Sequence, residues 1–344
     1  MALSPENDIS IEVHDLVKRY PRSTVNAVDG ISFSVRRGES FGLLGPNGAG
    51  KTTTIGILTT NVLPTSGTAR ITGIDVVADP MNVKQRIAVV PQQSNLDRSL
   101  RAREILTFHA SYHGVPRAER EARADTLLKE LGLAERAKDV VGRYSGGMAQ
   151  RLMLARALMH SPDVIFLDEP TNSLDPQSRL FLWDRIRSLN QEGVTVLLTT
   201  HDMEEADQLC ERIAIMDYGK ILVLDTSPEL KKLIPGGTRL DLRVRVPELV
   251  SVGEAQKEAS SKTRLLEALR ALPGAIKVEE VSTAEGEESQ QGMTLFRLYA
   301  EDAGSLVVEA AQVVAEAQAE LRDMHLERPS LEDVFIYLTG RNLR

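Results

Sequence analysis

Gly45-Pro46-Asn47-Gly48-Ala49-Gly50-Lys51-Thr52-Thr53 decides how this chain folds. The stretch follows the apolar run Phe41–Leu44 and precedes a segment in which Ile55, Ile57 and Leu58 recur. The glycines therefore lie between a buried strand and a helix, the setting a phosphate-binding loop requires. Glycines let backbone N–H groups turn inward around an anion, and the helix that follows aims its positive end at it. Lys51 then reaches the outer phosphates, and the Thr52 hydroxyl can ligate Mg²⁺. A chance match in a chain of this length is on the order of 1%.

Working outward, the runs Ile87–Val90, Val164–Leu167, Val194–Leu198 and Ile213–Met216 are each bounded by turn residues and read as buried strands of an α/β core. The second of these, Val164–Leu167, ends in Asp168-Glu169-Pro170. A cation held on nucleotide phosphates needs a hard oxygen ligand, which suits Asp168. Hydrolysis needs a base to orient and deprotonate water, which suits Glu169. Ahead of that strand, Ile105, Phe108 and Tyr112 repeat at helical spacing before Gly114-Val115-Pro116, and Leu127, Leu128 and Leu131 repeat after it. This predicts a helical subdomain, about residues 93–160, inserted into the core.

Beyond Pro235-Gly236-Gly237 the texture changes. Leu240, Leu242, Val244 and Val246 alternate with Arg239, Asp241, Arg243 and Arg245, the period of a half-buried strand. A helix with Leu265, Leu266 and Leu269 follows, then a strand around Ile276 and Val278 and an acidic turn with Glu285, Glu287 and Glu288. Next come a strand at Met293–Tyr299, a helix near Ala303–Ala319 and a strand near Leu321–Leu326. The order βαββαβ predicts a small ferredoxin-like α+β domain. A last helix opens at Ser330 with Asp333 placed for a capping box. The expected boundaries are 8–228 for the core with its insertion, 229–238 for a linker and 239–344 for the accessory domain.

Composition narrows the function. Apolar residues make up 42% of the 344 and charged ones 26%, which excludes collagen-like, coiled-coil and wholly disordered chains. The 41 Lys and Arg stand against 49 Asp and Glu, so no bulk positive field exists to hold a nucleic-acid backbone. The single Cys210 can form no internal disulfide and no Cys-based zinc site, which points to a reducing compartment. The start Met1–Asp8 has neither a basic nor an apolar region and is not expected to direct secretion. No run of about 18 apolar residues occurs, so work at a membrane would need another chain to span it.

Between the helical insertion and the acidic strand stands Tyr144-Ser145-Gly146-Gly147-Met148-Ala149-Gln150-Arg151, opening a helix rich in Leu, Met and Ala. With it the chain resembles the ATP-binding subunit of ABC transporters, whose signature begins Leu-Ser-Gly-Gly-Gln, over roughly residues 8 to 228. The resemblance implies a P-loop (RecA-like) ATPase core with ATP and Mg²⁺ as cofactors. Tyr20 would stack on adenine, and Gly45 to Thr53 would hold the phosphates. Thr52, Gln92 and Asp168 would hold Mg²⁺, with Gln92, in Val89-Val90-Pro91-Gln92, also sensing the attacking water. Glu169 would act as base, and His201 would contact the γ-phosphate. Ser145, Gly146 and Gly147 would bind the nucleotide of a second copy, and Ser173-Leu174-Asp175 would be the loop that crosses between subunits. Three departures are visible: Tyr144 for the usual Leu, Met148 for Gln, and Ser173 for a frequent Gly. A methionine cannot make amide hydrogen bonds, so Met148 offers no such contact, while the Ser-Gly-Gly backbone is unaffected. His109, His113 and His325 receive no role.

Asn95-Leu96-Asp97, the stretch Thr199–Ala206 and above all the tail Arg328–Phe335 look like the daunorubicin-resistance and nodulation-factor exporter group of ABC-2 type. This implies a drug-resistance type of transport, in which hydrolysis drives a separate integral membrane permease. The subunit would be cytoplasmic, peripheral on the inner face of the cell membrane, and would act as a nucleotide-sandwich homodimer that binds no nucleic acid. The segment with Asp97, Arg101 and Arg103 would then form most of the groove for a permease helix. Two other readings stand beside this one. A soluble ABC ATPase acting on nucleic acid or the ribosome would usually carry paired cassettes, zinc-binding cysteines or long coiled-coil insertions. A P-loop kinase or GTPase would have no use for the Ser-Gly-Gly element.

Overall fold

In a computed structural model, describing residues 8–234, 237–245, 254–281, 293–300 and 306–340, the chain divides into two units. The first runs to Ser227 and the second begins at Pro228. The first opens with β1 (Ile9–Lys18), β2 (Val28–Arg36), β3 (Ser40–Leu44), α1 (Lys51–Leu58), β4 (Ser66–Ile71), β5 (Ile74–Asp75), α2 (Pro80–Arg86) and β6 (Ile87–Val90). The insertion supplies α3 (Ala102–Tyr112), α4 (Arg117–Glu130) and α5 (Gly146–Ala157). The unit continues with β7 (Val164–Asp168), α6 (Pro176–Gln191), β8 (Thr195–Thr200), α7 (Met203–Leu209), β9 (Arg212–Asp217) and β10 (Lys220–Asp225), and α8 (Ser227–Lys231) leads out of it.

Two sheets result. An antiparallel one has the order β2-β1-β4-β5, and a six-stranded one the order β10-β9-β3-β8-β7-β6. In the larger sheet the pairs β9·β3, β3·β8, β8·β7 and β7·β6 are all parallel. Every residue of β3, β7 and β8 is buried, as strands covered on both faces must be, hence their unbroken apolar runs. The sheets share one core, in which Phe33 of β2 stacks on Phe41 of β3 with ring centres 5.3 Å apart. A Cβ on Gly42 of β3 would come within 2.7 Å of Cys210 Sγ, so the buried thiol occupies the space a side chain there would need.

The parallel register positions the site. Leu44 pairs with Thr200, Asp168 with Thr199 and Val90 with Leu167, so β3, β8, β7 and β6 end together. The segments beginning at Gly45, His201, Glu169 and Pro91 therefore leave the sheet along one edge, where open α/β sheets bind ligands.

In the insertion, α3 buries Ala102, Ile105, Leu106 and Ala110. Of the aromatic pair expected to share the face of Ile105, Phe108 is 54% exposed and Tyr112 85% exposed. The packed stripe is made of the small Ala102 and Ala110 with Ile105 and Leu106, and both rings lie off it. Arg103 is held by Asp125 of α4 in a two-pronged ion pair at 2.8 and 3.1 Å.

The second unit contains β11 (Thr238–Arg245), α9 (Glu254–Arg270), β12 (Ala275–Val281), β13 (Met293–Ala300), α10 (Leu306–Glu316), β14 (Glu320–Glu327) and α11 (Leu331–Thr339). Its antiparallel sheet has the order β12-β13-β11-β14, which is the ferredoxin-like arrangement. Leu240, Leu242 and Val244 are fully buried, while Asp241, on the other face of β11, accepts two bonds from Arg297 at 2.9 and 3.0 Å. Ser330 caps α11: Asp333 N–H donates to its hydroxyl at 3.2 Å, and Ser330 N–H donates to the Asp333 carboxylate at 2.8 Å. Pro235, Gly236, Val246, Ala303 and the acidic turn with Glu285, Glu287 and Glu288 lie outside the described residues. Among the described residues, no helix is long and apolar enough to cross a membrane.

Candidate functional site

The loop between β3 and α1 depends on glycine at both ends. Gly50 has φ +105°, and a Cβ on it would lie 2.4 Å from the Ala27 carbonyl oxygen. A Cβ on Gly45 would lie 2.2 Å from the carbonyl oxygen of Met216. Both clashes are with backbone, so neither could be relieved by a rotamer change. Lys51, the first residue of α1, is 4% exposed. Its ammonium donates to the carbonyls of Gly45 at 2.6 Å and Pro46 at 3.2 Å and lies 3.6 Å from Glu169 Oε1. Burial pulls the Lys51 pKa below its ordinary value, and Glu169 and Asp168 oppose that pull. A cation held this way over the loop can exchange carbonyl partners for phosphate oxygens.

Asp168 closes β7 with one carboxylate oxygen taking the Thr52 hydroxyl at 3.3 Å and the Thr199 hydroxyl at 2.5 Å. A hydroxyl of α1 and a carboxylate of β7 thus meet as two hard oxygen ligands, a donor set that suits Mg²⁺. The next residue leaves strand geometry: Glu169 has φ +47°, and its N–H is held by Thr199 through the carbonyl at 3.0 Å and the hydroxyl at 3.2 Å. Its carboxylate is 7% exposed. Gln92 Nε2 donates to Oε2 at 2.9 Å and Asn172 Nδ2 at 3.2 Å, while His201 Nδ1 lies 3.3 Å from Oε1. Glu169 is therefore surrounded by groups from β6's exit, β8's exit and the phosphate loop, with its lone pairs fixed in direction. A carboxylate so placed can accept a proton from a water at the loop's phosphates.

Tyr20 stands beside this cluster. Its hydroxyl lies 3.4 Å from Thr53 Oγ1, and the ring is 41% exposed with the Lys18 ammonium 5.1 Å from its centre. Ser145 caps α5, its hydroxyl taking the Met148 N–H at 3.2 Å. A Cβ on Gly147 would come 2.4 Å from the Ser178 hydroxyl and 3.8 Å from Asp175 Oδ2, so the Ser-Gly-Gly turn and the start of α6 form one surface. Among the described residues, no hydrogen bond or ion pair joins Ser145, Gly146, Gly147 or Asp175 to the phosphate loop. The structure thus gathers Lys51, Thr52, Gln92, Asp168, Glu169 and His201 in one place, and Ser145, Gly146, Gly147 and Asp175 in another. Ser173 has φ +62°, a left-handed conformation, at the position where the resemblance expects glycine.

Three contributors lie outside the expected set. Thr199 binds both carboxylate-bearing residues, and the two hydroxyls that end β8, Thr199 and Thr200, after Val196-Leu197-Leu198 are the sign that could have revealed it. Asn172 shares Glu169 with Gln92. Glu205, 1% exposed, takes the Thr171 hydroxyl at 2.7 Å and the Trp183 N–H at 3.2 Å, and burial pushes its carboxyl pKa up. With Glu169, His201 and Asn172 it lines a cavity of about 70 Å³.

Comparison with known proteins matches residues 28–172 to the family model described as ABC transporter. A doxorubicin resistance ATP-binding protein of Mycobacterium tuberculosis is 38% identical over 97% of this chain and 94% of its own length. A Nod factor export ATP-binding protein I of Ralstonia nicotianae is 40% identical over 97% of this chain and 95% of its own. Among solved structures, an ATP binding subunit of an ABC transporter matches with TM-score 0.60 and 30% identity, over 65% of this chain and 92% of that one. A dimeric ATP-binding cassette in a post-hydrolysis state, bound to ADP and Pi, matches with TM-score 0.58 and 28% identity, over 63% of this chain and 98% of that one. By descent along nearly its whole length, and by the phosphate loop and carboxylates it carries, the chain belongs to the ABC transporter family, as an ATP-binding and ATP-hydrolysing subunit.

Proposed function

We propose that two copies of this chain drive an ABC-2-type permease that exports a compound of the class named for its relatives, from the cytoplasmic face of the membrane. The observation that carries this reading is the separation of the site into two halves within one chain. Lys51 with Gly45 to Thr53 would hold the phosphates, and Thr52, Asp168 and Gln92 would hold Mg²⁺, which neutralises charge developing on the phosphates. Tyr20 would stack on the adenine. Glu169 would take the proton of the attacking water, oriented by Gln92 and Asn172, and His201 would face the transferred phosphate. The missing ligands are Ser145, Gly146 and Gly147 with Asp175, which a second copy related by a twofold axis would bring over the phosphate loop. Cleavage would remove the link across that interface, and the release would pass to the permease as a conformational change.

Two experiments test this. Light scattering on Glu169→Gln should give a dimer with ATP and a monomer with ADP; a monomer under both conditions would remove the sandwich. Co-expression with an ABC-2-type permease should carry the chain into the membrane fraction, and sedimentation that does not depend on that permease would remove the permease assignment. Arg103 is already bound to Asp125, so charge reversal at Arg101 is the cleaner probe of the permease groove. It should impair transport while leaving the isolated ATPase intact.

A further inference from the structure

We propose that His109, His113 and His160 form a binding site for a late first-row divalent cation, Zn²⁺ before others, between α3, the turn that follows α5, and the start of β6. His109 and His113 are four residues apart on α3 and its C-terminal cap, so they share a helix face. Two histidines at that spacing are the arrangement by which a single helix chelates zinc. His160 closes the triangle from the single turn Leu158–His160. The His113 and His160 rings stack with centres 3.7 Å apart, and His109 lies 4.9 and 5.8 Å from them. One ring nitrogen from each residue lies within 4.8 Å of the other two.

The hydrogen bonding singles out which nitrogens are free. His160 Nε2 lies 2.9 Å from the Ile87 carbonyl, which can only accept, so the ring proton is on Nε2 and Nδ1 carries a bare lone pair. That Nδ1 is buried and has no partner, and so is Nδ1 of His113. Buried polar atoms are nearly always satisfied, and two unsatisfied imidazole nitrogens in a cluster with a third histidine call for a shared partner. A carbonyl holding the far nitrogen of a ring is also how metal-ligating histidines are oriented. Three imidazoles suit Zn²⁺, Cu²⁺ or Ni²⁺ and do not suit Mg²⁺ or Ca²⁺. Zinc–nitrogen bonds of about 2.0–2.1 Å require the rings to close by roughly 1 Å, with the stacked pair tilting apart at their Cβ bonds. A water or an anion would complete the tetrahedron.

The surroundings allow it. The nearby guanidinium groups are engaged elsewhere: Arg156 donates to Asn95 Oδ1 at 2.6 Å, and Arg123 to the Leu158 carbonyl at 3.1 and 2.9 Å. Burial lowers all three imidazoles, His109 to about 3 and His160 to about 4, so the rings are neutral at physiological pH. The consequence concerns control. His160 holds the first residue of β6, and β6 leads directly to Pro91 and Gln92, whose amide binds Glu169. A bound metal would tie the helical subdomain to the strand that delivers Gln92.

The test uses the full chain without a histidine tag. Competition with a chromophoric chelator should show one Zn²⁺ per chain with a dissociation constant below about 1 μM, and Co²⁺ should give the strong visible bands of four-coordinate cobalt. His113→Gln and His160→Gln should each weaken binding by about 100-fold and bleach the cobalt spectrum, the scale on which a site loses affinity with one partner gone. His201→Gln should leave both readings unchanged, which separates this site from the nucleotide site. Should His160→Gln not fold, His109→Gln serves in its place. Binding weaker than 100 μM in the unaltered chain, or undiminished in the His113 and His109 variants, overturns the proposal.

Discussion

Two helices of this molecule begin at a glycine-rich turn, and they begin differently. α1 starts after Gly50, in left-handed geometry, with no side chain capping its first N–H groups. α5 starts after Ser145, whose own hydroxyl already takes the Met148 N–H. Around α1 are gathered a buried lysine, two buried carboxylates, a glutamine and a histidine; beside the α5 turn stand Asp175 and Ser178 at the head of α6. Both turns can present N–H donors to an anion. Only the first has the groups to cleave a phosphoanhydride. Under the proposed function the second turn completes a site rather than making one.

That contrast can be broken most directly at Glu169. Glu169→Gln should keep ATP binding and slow hydrolysis by roughly 100-fold or more, measured as phosphate release, because a lost general base costs on that scale. Near-normal turnover would remove Glu169 from the role. Lys51→Ala tests the other half of the claim for α1: nucleotide affinity, read by equilibrium binding, should fall about 10-fold or more as a charge-assisted phosphate contact is lost. Sharpening the comparison at α5 calls for Ser145→Arg in the Glu169→Gln background, where nucleotide binding should persist and the ATP-dependent dimer should disappear from light scattering. A dimer that survives would mean that α5 does not contribute to the site. The smallest effect is expected at Ser173, where a left-handed φ costs an L-residue roughly 1 kcal/mol. Ser173→Gly should therefore leave stability unchanged or raise it by up to about 1 kcal/mol in urea unfolding.

How much of this is legible in sequence follows from burial and range. β3 and β7 can be read because strands covered on both faces appear as apolar runs, and β11 because one face is bare and its residues alternate. The order of the second sheet follows from the element order alone. The face of α3 is misread, since Phe108 and Tyr112 carry the hydrophobic signal while small Ala102 and Ala110 do the packing. The candidate site is legible where carboxylates close an apolar strand, as Asp168 and Glu169 do, whereas His201, a lone histidine after a strand, enters only through the family resemblance. It is not legible where function depends on register between strands distant in sequence: Thr199 meets Asp168 across 31 residues. Glu205 hides for a related reason, because a glutamate in a polar helix looks solvated until Trp183 and Thr171 enclose it. His160 lies 47 residues beyond His113, and nothing local to either announces the other.

Cys210, filling the space above Gly42, has a practical meaning. Burial pushes its pKa well above the ordinary thiol value, so the reactive thiolate is scarce and the sulfur is out of reach of reagents. Since the chain has no other cysteine, the natural protein is already a silent background for labelling. A cysteine introduced at an exposed position outside the site, such as Thr126 on α4, would be the one thiol per chain to take a spin label or a dye. Distances between two such labels would then report how far apart the copies stand in each nucleotide state, with no prior removal of a native residue.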